Sequence, residues 1–125
     1  MEKTLTIDGR EVRFKSTAAT ALRYKAQFGR DLFADLLKMS KIADVLSNAE
    51  SEEMSYEELE KIDFELFYNI IWVLAKTADK SIPEPLEWLD TFSEFPINDI
   101  LPELQDLLTA SFQGKKNMNH PAMNQ

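Results

Sequence analysis

The side chains best suited to chemistry in this chain are its carboxylates. Asp31 and Asp35 stand four apart, the spacing that puts two side chains on one helix face. Glu57, Glu58, Glu60 and Asp63 crowd a second short stretch. Paired carboxylates hold Mg²⁺ or move protons when a protected site confines them. Both groups read instead as solvent-facing. The second also falls at the expected start of a helix, where the dipole favours negative charge without any catalytic role. The one histidine, His120, lies in a stretch with no periodicity and nothing to orient it, and there is no cysteine. Those two facts remove Ser–His and Cys–His nucleophiles and His- or Cys-based metal sites. Three glycines cannot build a phosphate-cradling loop, and neither GxGxxG nor GxxxxGK[ST] occurs. A calcium-loop pattern is missing too. The expectation is a protein that is not an enzyme, with no catalytic or metal-binding residue and no cofactor.

Charge is the next chemical resource. The net charge is −8, unevenly spread. Residues 1–41 carry nine Lys/Arg against five Asp/Glu, a balance of +4, while residues 42–114 carry three against seventeen, a balance of −14. The last eleven residues add +2. A surface this acidic repels nucleic acid. A small basic ribbon on Arg10, Arg13 and Lys15, with Arg23, Lys25 and Arg30 nearby, is the one feature in favour of such binding. A nucleic-acid reader usually carries a net basic balance, so no nucleic-acid partner is expected. Two readings of the split stay open. One is a plain solvated acidic face. The other is self-complementarity, with Arg10, Arg13, Lys15, Arg23, Lys25 and Arg30 of one copy meeting Glu57, Glu58, Glu60 and Asp63 of the next. Such a contact is heterologous and builds rings or helical arrays rather than two-fold dimers.

These side chains need elements to position them. The length of 125 residues suits one domain with one core. The first residues lack the apolar run of a signal peptide. The longest apolar run is Ile70–Ala75, far short of the ~20 residues of a membrane span, so a soluble, intracellular protein without a membrane partner is expected. Residues 4–15 pattern as a β-hairpin: "TLTI" alternates, Asp8-Gly9 supplies a two-residue turn, and "REVRF" alternates again. Leu5, Ile7, Val12 and Phe14 then share the face that must pack on helices. Helices are expected at about 17–28, 30–49, 56–79, 85–94 and 99–113. Ser16 or Thr17 caps the first, and Leu22, Ala26 and Gly29 fall on one of its faces. Gly29 reads as the left-handed residue that ends it, with Lys25 near its negative end and Asp31 in the first turn of the next helix. A continuous helix through Gly29 is the alternative. Ser55-Tyr56-Glu57-Glu58 has the pattern of a capping box, with Met54 and Leu59 as its staple. The helix after it turns apolar nearly all round from Phe64 to Leu74, so it is either plain core or core plus an oligomer contact. Pro83 and Pro85 mark the start of the fourth helix, whose stripe is Leu86, Leu89 and Phe92 beside Trp88. In the last, Asp99 as cap puts Pro102 in the first turn. Gly114 is a stop signal, and residues 115–125 read as a flexible tail. The expected fold is mainly α with a short N-terminal β-hairpin, about five helices in one compact domain over residues 1–114.

The stretch "TLTIDGREVRFKSTAATALRYKAQFGRDLFADL" resembles the opening of the phage tail assembly chaperones of long-tailed phages and prophages of Gram-positive hosts. The features that carry the resemblance are the "IDG" hairpin, the "TAAT" step, "RYKAQFGRD" and the leucines that follow. More coarsely, an acidic helical body with "FYNIIWVLAK" and "EPLEWLDTF" also fits. The resemblance implies a self-associating protein that coats the tape measure protein, keeps that long helical rod soluble and guides tail-tube assembly. It implies work in the host cytoplasm and absence from the finished virion. It further implies a longer form, made by ribosomal frameshifting near the end of the gene, that reaches the tail-tube protein; Lys115-Lys116-Asn117 is where a slippery run of codons could lie. A client with a long apolar face calls for apolar surface on its chaperone. Phe67, Ile71, Trp72, Leu104 and Leu108 are the candidates. The alternatives are a permanent structural protein of the tail or neck, and a small nucleic-acid-binding regulator.

Overall fold

The computed structural model describes residues 1–48 and 63–109, with the backbone alone over 43–48. Strands β1 (Glu2–Ile7) and β2 (Arg10–Lys15) pair antiparallel, with Ile7 opposite Arg10 and Leu5 opposite Val12. Asp8 and Gly9 both have positive φ, 53° and 78°, as a type I′ turn requires. Ile7, Val12 and Phe14 are buried and Leu5 is half-buried, which is the inward face expected from alternation.

The described residues after the hairpin form helices α1 (Thr20–Phe28), α2 (Leu32–Asn48), α3 (Glu65–Ala78), α4 (Pro85–Leu89) and α5 (Ile97–Glu103). A further turn, α6, covers residues 105–109. The fold is thus mainly helical with an N-terminal hairpin. α3 is its axis. From Leu66 to Ala75 every residue but Tyr68 is buried, and β2, α1, α2, α4 and α5 all pack on it. Burial on that scale, by roughly 25 cal/mol for each Å² of apolar surface, is the main favourable term in holding the domain together. No helix among the described residues is long and apolar enough to cross a membrane.

The break at Gly29 is real. Gly29 sits at φ 69°, ψ 19° and its amide bonds to Lys25 O at 2.8 Å, so α1 closes there in a left-handed cap. Asp31 lies just outside α2 and caps it: its Oδ1 accepts from the amides of Phe33 (2.8 Å) and Ala34 (3.3 Å).

Several boundaries and faces differ from expectation. α1 begins at Thr20, not 17, because Thr17 spends its cap on the turn before the helix. Its hydroxyl accepts from the amide of Ala19 (3.2 Å), and its own amide donates to the Thr20 hydroxyl (2.9 Å). The inward residues of α1 are Thr20 and Tyr24, flanked by Ala21 and Phe28. Leu22 is 74% exposed, and Ala26 is exposed as well. α3 starts at Glu65, since Asp63 stands outside it and its carboxylate accepts from the Glu65 amide at 3.2 Å. The proposed capping box, its staple, the polar connector, Gly114 and the tail lie outside the described residues. α4 stops at Leu89, and Trp88, not Leu86, faces the core; Leu86 is 75% exposed. The loop that follows is held by rings instead of a helix: Trp88, Phe92 and Phe95 stand at mutual centroid distances of 5.1–5.8 Å, and Phe95 stacks on Tyr68 at 5.9 Å. The last helix is split. It starts at Ile97 rather than Asp99, which puts Pro102 inside it. Pro102 has no amide to give and its ring crowds the preceding turn, so the helix ends at Glu103. Leu104 leaves helical geometry before residues 105–109 resume it.

Candidate functional site

Of the first carboxylate pair, Asp31 is exposed as expected but Asp35 is not. Asp35, on α2, is only 2% exposed. Its Oδ2 accepts from the Tyr24 hydroxyl at 2.6 Å and from Arg30 Nε at 2.8 Å, and its Oδ1 accepts from Arg30 Nη2 at 2.7 Å. Arg30 thus grips the carboxylate with two parallel bonds, the strongest form of such a pair. The Gly29 turn makes this possible. It reverses the chain so that Tyr24 on α1 and Arg30 in the turn converge on one residue of α2. The hydrogen bonds from Arg30 hold the Asp35 carboxyl below its usual range, outweighing the opposing effect of burial. Burial and the bond to Asp35 push the Tyr24 hydroxyl well above its usual value. Every Asp35 oxygen has a donor, and neither surface groove described below reaches the residue. The cluster joins α1 to α2; it presents no free base.

The expected basic side is partly consumed by the fold. Arg30 is committed to Asp35. Arg10 donates to the Thr91 hydroxyl and lies 3.8 Å above the Phe92 ring, a cation–π contact. Arg13 donates to Ala78 O at 2.8 Å and approaches Glu2 at 3.7 Å. Lys15 and Arg23 are half-buried, and Arg23 Nε has no hydrogen-bond partner among the described residues. Lys25 is exposed, and so are Lys38 and Lys41 on α2. The basic region therefore persists, but its free charge has moved from the arginines to the α1–α2 lysines.

Of the expected acidic side only Asp63 falls among the described residues. Glu57, Glu58 and Glu60 are outside the described residues, and Asp63 serves as a local cap. The described acidic surface is built by Glu84, Glu87, Asp90, Glu94, Asp99, Glu103 and Asp106, all exposed. Between Lys80 and Lys115 there is no Lys or Arg at all. That gap was readable in the sequence, as a missing residue type rather than as a motif. Two of these carboxylates have partners from the basic half: Glu84 accepts from Gln27 at 2.7 Å, and Glu103 pairs with Lys3 at 3.1 Å.

Two grooves flank the hairpin. One, of about 530 Å³, runs between β1 and α5 and is lined by Thr6, Pro96, Asp99, Pro102 and Glu103 among others. The other, of about 330 Å³, lies between β2 and the loop after α3. Asp79 in that loop is held below its usual range by the Ser81 hydroxyl and amide, which donate at 2.6 and 3.0 Å. Among the described residues no group of three or more His, Cys, Asp or Glu could hold a metal ion.

The five expected client contacts are not at the surface. Phe67 (5% exposed), Ile71, Trp72, Leu104 and Leu108 all lie in the core. The reason is geometric: α3 is surrounded, and Trp72 is held further by Nε1 donating to Pro83 O at 2.9 Å. Among the described residues, the large apolar side chains that are exposed are Met1, Leu22, Leu37, Phe64 and Leu86. Compared with protein-family models, curated proteins and solved structures, the chain matches none.

Proposed function

We propose that the chain is a phage tail assembly chaperone. It is not an enzyme: it self-associates and coats the tape measure protein, keeping it soluble while the tail tube forms. The observation that supports this reading best is the division of exposed charge. Along the chain, α1 and α2 carry exposed Lys25, Lys38 and Lys41, while seven exposed carboxylates fall in a later stretch free of cations. Unlike charge on two parts of one molecule favours head-to-tail contacts, which suit an array along a rod. Charge contacts of this kind speed association without locking the complex, as a transient partner needs. The resemblance of residues 4–37 to that family points the same way. Exposed Leu22, Leu37 and Leu86 offer a client the apolar contact that the buried α3 residues do not. The expected setting is the host cytoplasm during assembly, with no place in the virion.

The test is co-expression with the tape measure protein, sought in the neighbouring long reading frame. The rod should move to the soluble fraction and co-purify with this chain. A rod that stays insoluble and uncomplexed overturns the reading. A chain that instead remains in purified virions at stoichiometric amounts is a permanent tail component.

A further inference from the structure

Two short surface segments carry one pattern with opposite charge. On α2, Leu37 is followed by Lys38 and, one turn on, by Lys41. On α4, Leu86 is followed by Glu87 and, one turn on, by Asp90. Asp90 stands just past the last residue of α4 but keeps helical geometry, and its amide bonds to Leu86 O at 3.0 Å. Each segment thus sets its leucine and the charge four residues later on one face. All six side chains are exposed, Leu37 at 60% and Leu86 at 75%. No ion pair or hydrogen bond joins the side chain of Lys38, Lys41, Glu87 or Asp90 to another described residue.

Leucine against leucine removes apolar surface from water, and the charges around each leucine then face the opposite sign. The chain itself carries both halves of this match, so the partner it fits is a second copy. We propose that the Leu37–Lys38–Lys41 face of one copy docks on the Leu86–Glu87–Asp90 face of the next. The inference deepens the self-association of the proposed function and rests on it, since it names the surfaces that meet. The two faces differ, so a copy joined at one still has the other to offer, and contacts run head to tail into a ring or an array. One turn of α2 against a five-residue helix falls short of the ~1,200 Å² of a stable complex. Each contact is therefore transient and weakened by salt. In such an array neighbouring copies take Leu37 and Leu86, which leaves Leu22 on α1 for a client.

Charge exchange between copies tests the contact. One full-length variant carries Lys38→Glu with Lys41→Glu, and a second carries Glu87→Lys with Asp90→Lys. All four positions are exposed, so both variants should keep the wild-type melting midpoint. Within either variant like charges now oppose each other. Each alone should associate at least tenfold more weakly than wild type in sedimentation at low salt. An equimolar mixture should recover association, because the altered face of each variant meets unlike charge on the other. Both variants remain net acidic, so attraction between whole molecules cannot produce that recovery. Leu86→Ser, which leaves every charge in place, should weaken association at least threefold, and an unchanged value overturns the proposal. A charge variant that associates as wild type does, or a mixture that stays monomeric, overturns it equally and leaves the chaperone reading to the co-expression test. A wild-type chain that is monomeric at low salt removes self-association itself, and this contact with it.

Discussion

Asp35 shows how much a single residue's role depends on what folds opposite it. Spacing placed it one helical turn after Asp31 and suggested a solvent-facing pair. Its actual partners, Tyr24 and Arg30, lie on the far side of the Gly29 turn, and no helical periodicity relates Arg30 to Asp35. The cluster makes a stability prediction. Asp35→Ala leaves the buried Tyr24 hydroxyl without its acceptor and should cost about 1–3 kcal/mol, read from denaturant midpoints. Tyr24→Phe keeps the Arg30 grip and should cost less, about 1 kcal/mol. The pH dependence follows from the same bonds. Asp35 is held below its usual range in the fold, so the unfolded chain binds more protons in acid. Its contribution is complete above the ordinary Asp value near ~3.9 and is lost as pH falls through the lower folded value. Stability should therefore fall on the acid side, and Asp35→Asn should flatten part of that fall; Asp79, shifted the same way, keeps the rest. Tyr24 acts at the other end. Its raised value means that its contribution is intact below about pH 10 and declines as pH rises beyond it.

At the scale of elements, what was legible in the sequence is what local chemistry dictates. Asp8-Gly9 between alternating runs specified the hairpin, because few other residue pairs adopt two positive φ values cheaply. Gly29 with Asp31 after it specified a stop and a restart. Gly29→Ala tests this: a Cβ there meets nothing within 4 Å, so the cost is conformational alone, about 1–2 kcal/mol. Were α1 and α2 continuous, the same change would stabilise the chain, and thermal or denaturant melting separates the two outcomes by sign. What was not legible is which face of an apolar helix turns inward. Leu22 and Leu86 are as apolar as any core residue, yet Tyr24 and Trp88 take the inward positions. Large rings fill the space beside α3, and the Tyr24 hydroxyl also donates to Asp35, which a leucine cannot do. The α3 candidates were misjudged for the converse reason, since a helix apolar on all sides is surrounded by its own domain here. Ile71→Ala should accordingly cost about 2–5 kcal/mol of stability, as a core truncation does. Leu22→Ser should change stability by no more than about 0.5 kcal/mol while lowering client co-purification. The reverse pattern would return the client surface to α3.

For the whole molecule, the charge split was visible as a +4/−14 imbalance, but which of the described cations the fold leaves free was not. The basic half uses Arg30 inside the fold and ties down Arg10 and Arg13, leaving the α1–α2 lysines to meet a partner. The described part of the acidic half presents carboxylates across α4, α5 and the turns around them. Head-to-tail contact between these halves makes self-association depend on salt. The Debye length falls from ~10 Å at 0.1 M to ~3 Å at 1 M, so sedimentation velocity should show larger species at low salt and monomers at high salt. Charge reversal at Arg30 cannot test this, because it also breaks the Asp35 pair. Lys25→Glu is the clean probe, since Lys25 is exposed. It should weaken association at low salt without moving the melting midpoint, and Glu87→Lys in the acidic half should do the same. Combining the two restores unlike charge between the faces, and if these residues meet at the contact it should recover part of the association. Sedimentation unchanged by either single reversal would remove the charge-driven contact, and with it the observation that most favours an assembling chaperone over a solitary acidic domain.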